Sequence, residues 1–274
     1  GFIGMAANSG LMYTGLTAGA ARLLTTFATE ELIQRFVPHM LSGKWQGTMC
    51  LTEPQAGSSL SDITTTAIPQ PDGTYAIHGQ KIFISAGDHD ACENVVHLLI
   101  GRIQGAPLGT KGISLFVVPK FLEDGTRNDI SNMGIYHKIG QKGVPAMHLG
   151  FEGSQAWLIG EPNKGLSYMF QMMNEARIGV GIAGAAIASA AYHAALTYAK
   201  ERPQSRRLNT KAAVDTPQVP IIQHPDVRRM LLFQKAAVEG SLSLLVQTSL
   251  YFDRAHAATS PEEKEKNTLL VELL

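Results

Sequence analysis

The sequence predicts an α+β chain: a helical segment, a central antiparallel β-domain and a C-terminal helical bundle. Three observations predict it. Apolar residues recur at helical spacing before residue 46 and again after Gly165. Between them lie short runs rich in β-branched and aromatic residues, "ITTTAI", "TYAIHG", "KIFIS", "NVVHLLIG", "GISLFVVP" and "AMHLGF". No long helical stretch separates these runs, which argues for hairpins over βαβ crossovers and so for an antiparallel sheet. The expected boundaries are 1–46, 47–160 and 161–274.

In the first part, Thr29 is placed to cap a helix whose first turn carries Glu30 and Glu31, where acids suit the positive end of the dipole. Leu32, Phe36, Val37, Met40 and Leu41 follow at helical spacing, and Pro38 is expected to split or kink the segment. In the middle part, Pro71-Asp72-Gly73 is a turn signal and Gly105 to Gly112 a looser one. In the third part, one long helix is expected over 166–200 and a second from Pro225, a proline at the first helical position, to about Ala257. The polar stretch "RPQSRRLNTKAAVDTPQVP" joins them. Ser260-Pro261-Glu262-Glu263 reads as a capping box opening a last helix. Its apolar stripe runs to the final residue, and the opening helices start without a cap, so a piece of a longer polypeptide is expected.

The charges balance, 23 basic against 23 acidic, which removes the electrostatic case for nucleic acid or an anionic membrane as partner. Two cysteines, Cys50 and Cys92, are too few for a disulfide scaffold and lack metal-ligand spacing, so no metal and a reducing cytoplasm are expected. No basic leader precedes an apolar run at the start. His137, His148 and His224 read as structural or surface groups. Ile178 to Ala199 approaches the ~20 apolar residues that span a bilayer. It is built from Ala and Gly and carries Ser189, His193 and Thr197, so the reading is a helix buried in a soluble bundle, not a membrane span.

"EARIGVGIAGAA" holds Gly179, Gly181 and Gly184 in the G-x-G-x-x-G order of a dinucleotide loop. Such a loop must follow a strand and open a helix. Here the preceding "GLSYMFQMMNEAR" is helix-forming, so the glycines fall inside a helix and point to close approach of a neighbouring helix or ligand. A nicotinamide enzyme is the last of the readings.

Four stretches carry a specific resemblance: "CLTEPQAGSS" (50–59), "GQKIFISAG" (79–87), "GEPNKGLSYMFQMMNEAR" (160–177) and "YAKERPQSRRL" (198–208). In this order and spacing they resemble the acyl-CoA dehydrogenase family of flavoproteins, across essentially the whole chain. "HKIG", "NEARIGVG" and the long connection after Arg202 are similar to the larger subclass that includes 3-(methylthio)propanoyl-CoA dehydrogenases. The resemblance implies FAD, with Thr52 at the pyrimidine edge of the flavin, Ser85 at N5, Phe83 against the ring in place of the usual tryptophan, and Gly57 and Ser58 at the diphosphate. It implies that Arg202 reaches the FAD of a neighbouring subunit in a homodimer or homotetramer, and that Asn174 and Arg177 lie near the coenzyme A moiety. Read without the family, Thr52 and Ser58 are turn formers, Phe83 a core strand residue and Arg202 a solvated helix-end cation.

The implied reaction is α,β-dehydrogenation of a short, medium or sulfur-containing acyl-CoA, with a carboxylate base, hydride transfer to flavin N5 and an electron-transfer flavoprotein as acceptor. Ala176 occupies the place before Arg177 where some members keep the base. Glu175 is the candidate within the chain, but it lies about 100° around the helix from that place. The base is therefore expected beyond residue 274. The competing readings are a member repurposed for nucleic acid, which would need a basic extension, and a non-catalytic flavin-binding module.

Overall fold

The computed structural model describes residues 8–207 and 216–273. Ser9–Arg177 form one compact unit, and from Ile178 the chain belongs to a second. The first opens with α1 (Asn8–Phe27) and α2 (Glu30–Leu41). Seven strands follow: β1 (Trp45–Cys50), β2 (Thr66–Pro69), β3 (Tyr75–Ser85), β4 (Asn94–Ile103), β5 (Ile113–Pro119), β6 (Ile130–Tyr136) and β7 (Ala146–Ile159). The long helix α3 (Gly165–Glu201) starts in this unit and runs into the second.

α2 buries Leu32, Phe36, Val37 and Met40, the stripe its sequence spacing predicts. Pro38 does not split it. The proline sits in the last turn, where the helix ends at Leu41 and the Ser42 N–H bonds back to the Pro38 carbonyl at 3.0 Å. Thr29 is extended and precedes the helix, but its hydroxyl makes no capping bond, so Glu30 and Glu31 are the first turn's electrostatic support.

The sheet corrects one expectation. β2–β3, β3–β7, β4–β5, β5–β7 and β6–β7 are antiparallel, but β4 runs parallel to both β1 and β2. The sheet is therefore mixed within the α+β class. Lack of helices between the runs excludes βαβ units, but a chain can also return to a parallel register through other strands. Here the loop after β1 and the β2–β3 hairpin make that return. Hydrogen bonding closes a ring in the order β4-β2-β3-β7-β5 and back to β4, with β1 on β4 and β6 on β7. "TYAIHG" and "KIFIS" are one strand, β3. β1 and the edge strand β6, exposed along most of its length, were not legible as strands.

Two faces of this ring account for two cores. Val96, Leu98, Ile100, Ile113, Leu115 and Val117 point outward and pack with Leu23, Leu24 and Phe36 of the helices and with Met169 and Met172 of α3. The alternate residues Leu99, Phe116 and Val118 point inward with Cys50, Ile77, Met147, Leu149 and Phe151. Covering on both faces is why β4 and β5 read as continuous apolar runs without alternation.

In the second unit, α4 (Pro225–Ala257) and α5 (Pro261–Leu273) begin where the prolines predict. The Ser260 hydroxyl accepts the Glu263 N–H at 3.2 Å, forming the expected cap. α3 is long and apolar enough to cross a membrane by length and composition. Only 17% of its most apolar window is buried, so among the described residues the helix is not enclosed in a bundle as its composition suggested.

Gly179, Gly181 and Gly184 lie inside α3, so the dinucleotide-loop pattern is a coincidence of helix composition. Close packing explains one of the three. A Cβ on Gly181 would stand 2.9 Å from Leu245 Cδ2, whereas Gly179 and Gly184 have nothing within 4 Å among the described residues. Gly179→Ala and Gly184→Ala should each stabilise by up to about 1 kcal/mol, because alanine restricts the unfolded chain and meets no obstacle. Gly181→Ala should gain less or lose. Urea unfolding of the three variants checks the order.

Candidate functional site

Residues 51–59 leave β1 and fold into a tight turn closed by reciprocal Glu53–Ala56 backbone bonds of 2.8 and 3.1 Å. The turn is fastened to β3 by the Ile82 N–H, which donates to the Thr52 carbonyl at 2.8 Å. That bond sets Thr52 beside the last residues of β3, so the backbone brings the Thr52 turn and the Phe83–Ser85 segment together. Gly57 folds back on Thr52: a Cβ there would be 3.2 Å from the threonine methyl. Ser58 next to it is exposed.

Beneath this contact lies a buried ion pair that the sequence reading missed. Lys81 Nζ is 2.8 Å from Glu53 Oε1, with both side chains essentially inaccessible. Lys81 also donates to the Leu51 carbonyl at 2.9 Å. Glu53 accepts from the Thr64 N–H at 2.7 Å, the Thr64 hydroxyl at 3.0 Å, the Thr65 N–H at 3.1 Å and Gln55 Nε2 at 2.8 Å. Burial pushes the Glu53 carboxyl up, but the Lys81 ammonium and the Thr64 and Thr65 donors outweigh it and hold it at about 2. Burial presses Lys81 below the ordinary ammonium range, opposed by Glu53. With donors converging on both carboxylate oxygens, the pair is ionised. A signal was available: Glu53 and Lys81 are the only charged residues in "CLTEPQAGSS" and "GQKIFISAG".

β3 breaks its regularity where Phe83 and Ser85 sit. Its register against β7 shifts between Lys81 and Ile84. Phe83 and Ala86 both take left-handed backbone, φ 59° and 50°. Such residues cost about 1–3 kcal/mol each and persist where surroundings enforce them, often at functional sites. The result turns Phe83 outward, 56% exposed, its ring centroid 4.5 Å from that of Tyr136. A core strand residue it is not. Thr52 and Ser85 are half-buried, and neither hydroxyl has a hydrogen-bond partner among the described residues. A cavity of about 240 Å³ borders the same turn, lined by Glu53, Pro54, Gln55, Thr64, Gly79 and Gln80. None of Thr52, Ser58, Phe83 and Ser85 lines it.

The other matched residues lie on or after α3. The Arg177 guanidinium donates to Asn174 Oδ1 at 2.6 Å, both side chains exposed. Glu175 lies on the same helix, and its side chain falls outside the described residues. Arg202, exposed, follows the end of α3 in the second unit, its carbonyl accepting the Ile221 N–H at 2.9 Å.

The family described as "Acyl-CoA dehydrogenase, middle domain" matches residues 48–154, which takes in the second half of β1, all of β2 to β6 and most of β7. Over 253 residues the chain is 46% identical to a 3-methylmercaptopropionyl-CoA dehydrogenase of Ruegeria pomeroyi, covering 90% of this chain and 42% of that protein. Over 269 residues it is 44% identical to a butyryl-CoA dehydrogenase of Syntrophomonas wolfei, covering 93% and 44%. Among solved structures, the butyryl-CoA dehydrogenase of Megasphaera elsdenii superposes with a TM-score of 0.70 at 27% identity, over 85% of this chain and 56% of that one. The chain thus spans less than half the length of these two curated relatives. By this family match and these identities, the chain belongs to the acyl-CoA dehydrogenase family.

Proposed function

We propose that this chain is the flavin-holding part of an FAD-dependent acyl-CoA dehydrogenase that acts on a short or sulfur-containing acyl thioester. The observation that carries the reading is a set of groups near the end of β3, which we take to form an open ledge. Two half-buried hydroxyls without protein partners, Thr52 and Ser85, stand on segments locked together by Glu53 and Lys81, next to an outward-turned aromatic. Such a set fits an isoalloxazine, which needs donors along its pyrimidine edge and at N5 and an apolar surface against its ring. When bound, FAD supplies the acceptor for the hydride from the acyl β-carbon. Thr52 and Ser85 donate hydrogen bonds to it. The main chain at Gly57 and Ser58, free of a Cβ at one position, comes close to the diphosphate. Asn174 and Arg177 serve the coenzyme A moiety, and Arg202 the FAD of a second subunit in a homodimer or homotetramer. The catalytic base lies outside these residues, with Glu175 the candidate inside them. A cytoplasmic enzyme of acyl-chain oxidation, passing electrons to an electron-transfer flavoprotein, completes the reading, with three parts divided near residues 46 and 160.

The names of the relatives support the substrate class. The test is the visible spectrum of the full-length protein. A yellow protein bleached by butyryl-CoA or 3-methylmercaptopropionyl-CoA is expected. A yellow protein indifferent to acyl-CoAs would leave a flavin-binding module, and a protein that FAD cannot turn yellow would end the flavin reading.

A further inference from the structure

Ser85 is followed by a buried turn whose hydrogen bonds reach back to β1. Gln46, buried on that strand, donates from Nε2 to the Ala86 carbonyl at 3.3 Å. Its Oε1 lies 2.6 Å from His89 Nε2. The Ala91 N–H donates to His89 Nδ1 at 3.1 Å, so Nδ1 holds the lone pair and Nε2 the proton. Each bond thus has one direction: Ala91 to His89, His89 to Gln46, Gln46 to Ala86.

The segment is anchored around that line. The Ala86 N–H donates to the Pro145 carbonyl at 2.8 Å, and Lys120 Nζ reaches the His89 carbonyl at 2.9 Å and Asp88 Oδ1 at 2.6 Å. Tyr13 of α1 sets its ring edge-on to the imidazole, centroids 5.5 Å apart, and donates its hydroxyl to the Gly143 carbonyl at 2.9 Å. Burial and Lys120 hold the imidazole below its ordinary range, with Asp88 and Asp90 opposing, which agrees with a neutral ring. Arg127 is 3.6 Å from Asp88, the remaining charge of the cluster.

We propose that His89 and Gln46 are positioning residues: together they clamp the left-handed Ala86 peptide and so fix the direction in which Ser85 presents its hydroxyl to the flavin. Ala86 needs such a clamp, because its φ of 50° is disfavoured for a residue with a Cβ. Without the Gln46 donor a buried carbonyl loses its partner, and the peptide relaxes toward ordinary backbone. Neither residue belongs to the four stretches that carry the family resemblance.

The role rests on the flavin reading, and the test separates the two. In the full-length protein, Gln46→Glu keeps the shape and an acceptor for His89 but turns an oxygen toward the Ala86 carbonyl. His89→Asn shortens the relay without adding charge. Both should raise the dissociation constant for FAD by about tenfold, the worth of one buried hydrogen bond. Both should also speed hydrogen exchange at the Ala86 and Gly87 amides in the flavin-free protein. Weakened FAD binding with faster exchange supports the clamp, even if only one of the variants folds. Unchanged exchange in a folded variant overturns it, and so does a lowered melting temperature with unchanged FAD affinity. A wild-type protein that takes up no FAD sinks the flavin reading, and the exchange rates still report whether the clamp exists.

Discussion

Replacing Lys81 with methionine is expected to destabilise the first unit by about 3–5 kcal/mol at neutral pH, because it strands the Glu53 carboxylate in a buried site. Glu53→Gln should cost a similar amount for the mirrored reason, an ammonium left among apolar strands. The pH dependence distinguishes this from simple loss of packing. In the native wild type the Glu53 carboxyl is depressed to about 2 from an ordinary value of 4.5. Its contribution is therefore fully present above pH 4.5 and is lost as pH falls through 2. Removing Lys81 raises the native pKa of Glu53, so the penalty of Lys81→Met should be largest at neutral pH and shrink on acidification. For Glu53→Gln the trend reverses: the penalty should shrink as pH rises and the unpaired lysine releases its proton. The double variant should cost less than the two singles added together. Urea unfolding across pH measures all three, and two parallel, pH-independent penalties would show that the pair is not ionised.

That pair also shows where the sequence was legible and where it was not. Helix starts were written locally: Pro225, and Ser260 with Pro261, each announce an N-terminus through chemistry confined to one turn. The strands with buried faces, β3, β4, β5 and β7, were visible because burial demands apolar residues. β6 was not, since an exposed edge strand carrying Asn132 and Gly134 shows neither alternation nor an apolar run. Parallel pairing of β1 with β4 was hidden for another reason. Register between strands so far apart in the chain is decided by three-dimensional closure, and no local pattern encodes it. The site behaved likewise. Thr52, Gly57, Ser58, Phe83 and Ser85 stood in recognisable motifs, yet what joins those motifs, Glu53 to Lys81 and Gln46 to Ala86, is contact between distant positions. The outward turn of Phe83 depends on a left-handed φ that its own side chain opposes, so the sequence there reads as an ordinary strand.

Ser85→Ala should lower the rate of flavin reduction by acyl-CoA by about 10²–10³-fold in the full-length enzyme while leaving folding unchanged. The separation of effects follows from the hydroxyl's surroundings. Ser85 is half-buried at the end of β3, in register with Ala146, and its hydroxyl has no partner among the described residues. Its loss removes no internal hydrogen bond and opens no sizeable cavity, so the melting temperature should move little. On the proposed ledge that hydroxyl donates to flavin N5, where electron density arrives with the hydride. A donor aimed at developing charge is worth more in the transition state than in the resting complex. The loss should therefore fall on the reduction rate, with acyl-CoA affinity nearly unchanged. Ser85→Thr, which keeps the hydroxyl, should restore most of the rate. Stopped-flow bleaching of the flavin band measures both numbers. An alanine variant that bleaches as fast as wild type would remove Ser85 from the site and leave Thr52 and the main chain of the ledge as its remaining donors.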